Sequence, residues 1–299
     1  MGTRIPLPKE SMMTNILSFG RMIKFSHTIF ALPFALSAVI LAVHQKYELN
    51  AWDLLWVILA MVGARSAAMG FNRIVDAQFD AKNPRTTQRA IPSGEISIRQ
   101  SIVFVICFSA LFLLASASLS IDCFYLAIPV LFLLFLYSYT KRFTSLCHIY
   151  LGFAISLSPM AAWIGITKTF DWPIIMVSIA LLTHIAGFDI LYACQDYDFD
   201  QKEGLFSIPS QYGIEKALQI SAFLHVLCFF CFVTISFVFH MNIIYWVAVM
   251  IIGLALVIEH MIIKPDNLSQ IPIAFFHINS GISLVFLMGI LGDVLLCRP

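Results

Sequence analysis

Asn72, Asp76 and Asp80 recur at four-residue intervals in "FNRIVDAQFDAKNPRTTQRAIPSG" (residues 71–94), and the cations Lys82, Arg85 and Arg89 follow them. Residues four apart share a helix face, so the amide and the two carboxylates form one polar stripe at a helix end. A second stretch, "DILYACQDYDFDQKEGLFSIPSQYG" (residues 189–213), repeats the design. Asp189, Tyr192, Asp196 and Asp200 stand at steps of three, four and four, and Lys202 follows. Asp198 points away if that helix persists. Both stretches run on to an Ile-Pro-Ser turn (Ile91, Pro92 and Ser93; Ile208, Pro209 and Ser210). Like charges four apart weaken a helix slightly, so each stripe calls for a counter-charge. A solvated helix end is the ordinary explanation of acidic loop residues. Against it, the chain has only 17 Asp and Glu residues, and much of that stock lies in these two stretches, each beside a long apolar run.

Carboxylates and amides without Cys or His partners suit a hard cation, and Mg²⁺ is commonly held by one or two carboxylates together with substrate phosphates. Two such faces could clamp a diphosphate, with nearby Lys and Arg neutralising its oxygens. A calcium loop starting at Asp196 fails, because Gln201 stands where Gly is needed and Ser207 where Glu is needed. No Walker loop or Gly-rich dinucleotide fingerprint is present. These features point to a lipid diphosphate rather than a nucleotide, and to no nucleic-acid partner.

The elements that carry the stripes are set by the solvent. The chain is 60% hydrophobic and 12% charged, with a mean hydropathy of +0.88. Residues 25–43, 101–119 and 217–239 contain no Asp, Glu, Lys or Arg. About 20 apolar residues span a bilayer. With the runs near 52–71, 123–140, 143–166, 172–191, 242–263 and 271–292, the sequence predicts nine transmembrane helices. Period-two alternation is absent, which argues against a barrel. The fold expected is all-α and multi-pass. A cytoplasmic segment, 1–24, precedes a single membrane domain, 25–296. With the N-terminus inside, 14 of the 18 Lys and Arg residues fall in cytoplasmic segments, in keeping with the positive-inside rule. Both acidic loops then face the cytoplasm. The first span is too long for a signal-peptide core and lacks a cleavage site. No Arg-rich, acid-poor transit segment precedes it, so the expected location is a bacterial inner membrane. Cys228 and Cys231 form a C-x-x-C inside an apolar run and read as packing. The sequon at Asn267 falls in an inside loop and is discounted.

The motif N-x-x-x-D-x-x-x-D followed by "KNPRTTQRAIPSG", and "YACQDYDFD" followed by "GLFSIPSQYG", resemble the two signatures of UbiA-type intramembrane prenyltransferases. They are most similar to those of bacterial 4-hydroxybenzoate polyprenyltransferases. Motif order, separation and span number agree, so the resemblance covers nearly the whole chain. One departure is Arg73, where many members have Asp. The resemblance implies a bundle of helices around a central cavity. It implies that Asn72, Asp76 and Asp80 bind a diphosphate through Mg²⁺, and that Asp196 and Asp200 do so from the other side. Arg65 matches an arginine of the aromatic-substrate pocket, and Lys24 falls near another basic position. Arg89 and Lys202 are expected to meet phosphate, and Tyr192 to touch substrate. Catalytic weight falls on Asp76, Asp196 and Arg65.

The reaction implied is Mg²⁺-dependent transfer of a polyprenyl chain to a small aromatic acceptor. The favoured acceptor is 4-hydroxybenzoate, with a naphthoate of menaquinone synthesis as the alternative. A charge within a span is costly, roughly 2.5–3.5 kcal/mol on insertion scales, so Arg65 must be paired or cavity-facing. An ion pair with Asp189 explains it as well as substrate binding does. Tyr192 could steady a carbocation or orient a carboxylate, but a packed interfacial tyrosine is the more ordinary reading. His148 and His184 could act as bases, though single membrane histidines more often bond a neighbouring helix. A transporter is the rival of another class: helix prolines Pro33, Pro129 and Pro159 and a hint of internal repetition suit one. Transporters place ionisable groups near the midplane, whereas here the carboxylates gather at helix ends.

Overall fold

The computed structural model describes residues 18–20, 22, 23 and 25–297. Lys24 lies outside the described residues. Among the described residues there is no β-strand, and eight helices are long and apolar enough to cross a membrane. They are α2 (Ala51–Val75), α4 (Ile98–Leu119), α5 (Ile121–Thr140), α6 (Cys147–Thr167), α7 (Pro173–Ala193), α10 (Ile214–Val238), α11 (Ile243–Ile262) and α12 (Ile271–Leu296). The first expected span departs from the prediction. It is a 3₁₀ segment, Phe25–Phe30, followed by the 13-residue helix α1 (Leu32–His44). Pro33 sits in the first turn of α1, where a missing N–H costs nothing, so it starts the helix instead of lying within it.

The short helices carry the polar loops. They are α3 (Ala77–Lys82), α8 (Tyr197–Glu203) and α9 (Ile208–Tyr212). Around them, α2 packs most heavily on α4, while α6, α7 and α10 form a contiguous row. α12 closes the bundle by packing on α11 and α1. α7 is apolar on every side and the most deeply buried of the eight spans, as a helix surrounded by others must be. Close packing at α7 depends on two glycines. A Cβ at Gly152 of α6 would stand 2.4 Å from the Leu182 carbonyl, and one at Gly187 would stand 2.3 Å from the His225 ring. One large core cluster joins α1, α6, α7, α10, α11 and α12 around Phe34, Trp163, Phe232 and Phe286.

Candidate active site

The first stripe keeps its register through a break. Asp76 ends α2, and the chain re-enters helix at Ala77. Asp76 N–H donates to the Asn72 carbonyl at 2.9 Å, and Asp80 N–H to the Asp76 carbonyl at 2.8 Å. Asn72 Nδ2 donates to Asp76 Oδ2 at 2.7 Å, so the amide orients the carboxylate. In the second stripe, a 3₁₀ turn (Cys194–Asp196) separates α7 from α8. Asp196 and Asp200 are both buried, whereas Asp198 is exposed, as its helical position predicts.

Each acid meets a cation. Asp80 takes Arg89 Nη1 at 2.7 and 2.9 Å. Asp76 Oδ1 lies 3.4 Å from Arg142. Asp196 is gripped bidentately by Arg85, with Nε at 2.9 Å and Nη2 at 2.5 Å, and also accepts from Asn83 Nδ2 at 2.9 Å. Asp200, fully buried, pairs with Lys141 Nζ at 2.7 Å and accepts from Ser207 Oγ at 2.9 Å. That serine directly precedes the second Ile-Pro-Ser turn, where it also caps α9. Phe206 N–H donates to the Lys141 carbonyl at 2.8 Å, which ties the same loop to the lysine. Side chains of the first loop reach the acids of the second: besides Arg85 and the neutral Asn83, Lys82 meets Glu203 at 2.6 Å. The two stripes therefore stand face to face.

Electrostatics follow from this geometry. Burial, and then the neighbouring Asp80, raise the Asp76 carboxyl above the usual aspartate range, against the pull of Arg142 and Arg73. Burial alone would lower the Lys141 ammonium, but Asp200 outweighs it and the net direction is up. Arg85 behaves the same way: burial lowers it, and Asp196 raises it by more.

Below this charged mouth lies a cavity of about 430 Å³. Asn72, Asp76, Asp80, Arg85, Arg89, Lys141, Arg142, Asp196 and Asp200 line its polar end. Apolar side chains of α2, α4, α5 and α6, among them Val57, Leu119, Leu126 and Ile155, line the rest. From Arg73 back to Val57 the wall runs sixteen residues along α2, about 24 Å of helix.

Arg65 lines the cavity about two helical turns deeper than Asn72. Asp189 pairs with His148 Nδ1 at 2.7 Å across α6 and α7, and both line the wall. His184 does not line it: it is buried against Phe34 and Phe188. The Tyr192 hydroxyl accepts from Arg85 Nη1 at 2.7 Å and the ring lies against Phe275, so Tyr192 is both packed and part of the site. Arg73, the departure from the resembled motif, is buried. Its Nε donates to the Met22 carbonyl at 3.2 Å, and its Nη1 donates to Asn72 Oδ1 at 3.2 Å and lies 4.0 Å from Asp80.

Lys202 is the expected phosphate contact that the structure moves elsewhere. It is exposed on α8 and does not line the cavity. Two residues from Asp200 on a helix, it points to nearly the opposite side. Lys141 and Arg142, absent from the expected site, supply the cations on that side. Their only sequence signal was a basic pair at the end of α5.

Residues 31–281 match the UbiA prenyltransferase family. A 4-hydroxybenzoate octaprenyltransferase of Legionella pneumophila (strain Lens) is 33% identical over 181 residues, which are 58% of this chain and 64% of that protein. The match thus spans somewhat less than two thirds of that relative's length. A second protein of that name, from Vesicomyosocius okutanii, is 28% identical over 256 residues, 81% of this chain and 88% of its own. Among solved structures, the apo UbiA homologue of Aeropyrum pernix K1 superimposes with a TM-score of 0.81 at 27% identity, over 90% of this chain and 98% of that one. A UbiA homologue of Archaeoglobus fulgidus bound to DMAPP and Mg²⁺ gives 0.73 at 20% identity, over 93% and 99%, a likeness of fold. With the two interlocked acidic loops above an apolar cavity, and with a family match across most of its length, the chain belongs to the UbiA prenyltransferase family.

Proposed function

We propose that this protein transfers a polyprenyl chain from its diphosphate to a small aromatic acceptor, with 4-hydroxybenzoate the favoured acceptor. The observation that carries the reading is the union of charged mouth and apolar cavity: one end suits an anionic head, the other an isoprenoid tail. The names of the relatives support the acceptor. A position at the inner membrane, with both acidic loops on the cytoplasmic side, fits the distribution of basic residues.

The donor set at the mouth is carboxylate and amide oxygen, which fits Mg²⁺. Asn72, Asp76, Asp80, Asp196 and Asp200 would hold it, and when bound it supplies charge stabilisation for the departing diphosphate. Among the described residues these acids do not converge as one set of three donors within 4.8 Å; each is turned to a cation instead. A diphosphate offers its own anionic oxygens to Arg85, Arg89, Lys141 and Arg142, which releases the carboxylates. Preorganised cations then stabilise the charge that develops as the allylic carbon–oxygen bond breaks and its electron pair leaves with the diphosphate. The ring carbon ortho to the hydroxyl attacks that allylic carbon, and the ring proton is lost to restore aromaticity. Arg65, deeper in the cavity, holds the acceptor's carboxylate. The apolar walls exclude water that would trap the allylic cation.

The test is transfer by purified protein from a labelled polyprenyl diphosphate, offered 4-hydroxybenzoate and a dihydroxynaphthoate in parallel. Both arms are run with and without Mg²⁺, for wild type and Asp76→Asn. Metal-dependent prenyl-hydroxybenzoate that vanishes in the variant is the expected result. Product only from the naphthoate corrects the acceptor. Folded protein that binds no polyprenyl diphosphate overturns the reading.

A further inference from the structure

We propose a second metal site, for a transition ion of the zinc class, formed by His225, Glu259 and His260 between α10 and α11. Among the described residues these three form the one group of His, Cys, Asp or Glu donors that lie within 4.8 Å of one another. None of them lines the cavity described above.

The donors are spaced for one ion. Two ligands each about 2.0–2.1 Å from a tetrahedral ion stand roughly 3.3 Å apart. His225 Nδ1 lies 2.9 Å from His260 Nε2 and 3.3 Å from Glu259 Oε2.

The outer contacts orient the donors inward. His225 Nε2 faces the His184 carbonyl at 3.3 Å. A carbonyl only accepts, so Nε2 carries the proton and Nδ1 of the neutral ring presents its lone pair to the cluster. A metal-bound imidazole is held in this way, with its other nitrogen donating to a backbone carbonyl. Glu259 Oε1 accepts from Asn279 Nδ2 at 2.7 Å, which leaves Oε2 for the cluster. Asn279 is aimed by a π-helical turn (Ala274–Ile278) in α12, and its Nδ2 also donates to the Ala274 carbonyl at 2.9 Å. Such turns often mark functional positions. Gly187 leaves room for the His225 ring against α7, and Ser221 Oγ donates to the Gly187 carbonyl at 2.8 Å.

Chemistry selects the ion. Two imidazoles and one carboxylate suit zinc and its neighbours, whereas Mg²⁺ prefers oxygen ligands throughout. His225 and Glu259 are buried, and His260, two residues from the end of α11, is partly accessible, so an ion can reach the site from that end. The same π turn seats Phe275 against Tyr192 at the cavity wall, so an ion here would steady that wall.

The experiment uses the full chain in detergent, stripped with EDTA and reloaded with Zn²⁺ or Co²⁺ under excess Mg²⁺ to occupy the carboxylate-rich mouth. Wild type and Asp76→Asn should each retain about one equivalent of Zn²⁺ and show the visible absorption of low-coordinate Co²⁺. His260→Gln and Glu259→Gln should weaken binding at least about ten-fold. Equal retention by wild type and both folded variants, or no retention by wild type, overturns the site and leaves a hydrogen-bonded His–Glu–His network. Should both variants fail to fold, X-ray absorption of the wild-type zinc form decides. Two imidazoles in the first shell support the assignment, and oxygen ligands alone refute it.

Discussion

Arg85 and Asp196 join the two acidic loops by a bidentate pair, with distances of 2.9 and 2.5 Å. The guanidinium also donates to the Tyr192 hydroxyl and lies over its ring, 5.0 Å from the centroid. Arg85 thus belongs to one loop in sequence and to the other in contacts. Arg85→Lys keeps the charge but loses the fork. It should lower kcat/KM for prenyl transfer about ten-fold, which corresponds to roughly 1.4 kcal/mol. Arg85→Ala leaves the buried Asp196 with Asn83 alone and should cost about 2 kcal/mol of stability, moderated because the Arg85 side chain is 29% exposed. A double-mutant cycle with Tyr192→Phe, read by thermal unfolding, should show coupling. Strict additivity would mean that the tyrosine merely packs nearby.

Acid should inhibit the enzyme at a higher pH than an ordinary aspartate would dictate. Burial and Asp80 raise the Asp76 carboxyl, so on acidification it takes up a proton before an exposed aspartate, near 3.9, would. Below its folded pKa the site holds one negative charge fewer, and Mg²⁺ affinity falls. For stability the sign is opposite: a raised carboxylate favours the folded state at low pH and costs stability once pH exceeds the folded value. Arg142 pulls this pKa down, so Arg142→Ala should move the acid limb of the Mg²⁺-dependent rate further toward neutral. The measurement is the apparent Mg²⁺ constant against pH for both proteins. An unmoved limb would show that Asp76 does not set it.

Arg89 and Lys202 separate charge near the site from charge in it. Arg89 lines the cavity and chelates Asp80, whereas Lys202 is exposed on the far side of α8. Arg89→Ala should reduce transfer about 100-fold, the scale of losing one preorganised donor to a developing anion. Lys202→Ala should leave kcat/KM within about two-fold, as for surface substitutions away from such features. A large loss in Lys202→Ala would place that lysine on the diphosphate after all.

The contrast shows what a sequence can and cannot carry. Apolar runs reveal spans because burial in lipid demands them. The i, i+4 stripes reveal Asn72, Asp76, Asp80, Asp196 and Asp200 because a helix puts them on one face. Lys202 is near Asp200 in sequence, but its helical angle turns it away. Lys141 and Arg142 gave only a topological signal, since their partners are fixed by a backbone bond from Phe206 and by an acid 66 positions away. His148 with Asp189, and the His225, Glu259 and His260 group, join different helices, and no local spacing announces them. Pro33, expected inside the first span, instead starts α1, because a proline suits a helix start better than a helix interior.

Lys141 and Asp200 provide the sharpest test of how the mouth is held before substrate arrives. The carboxylate is fully buried, and Lys141 Nζ at 2.7 Å is its compensating charge. Lys141→Met strands that charge and should destabilise the protein by about 3 kcal/mol, the lower end for breaking a buried pair because the lysine is one third exposed. The folded ammonium sits above the ordinary lysine value of about 10.4. Its stabilisation is therefore complete at neutral pH and is lost only as pH rises through the folded value. Unfolding at pH 7 should show the full difference between wild type and variant. If millimolar Mg²⁺ binds the folded site and not the unfolded chain, it should raise the Tm of Lys141→Met more than that of wild type, because there the carboxylate is already free. Lys141→Arg should restore Tm without Mg²⁺. A variant as stable as wild type, with no gain from Mg²⁺, would show that Asp200 is not held as a charge awaiting an ion.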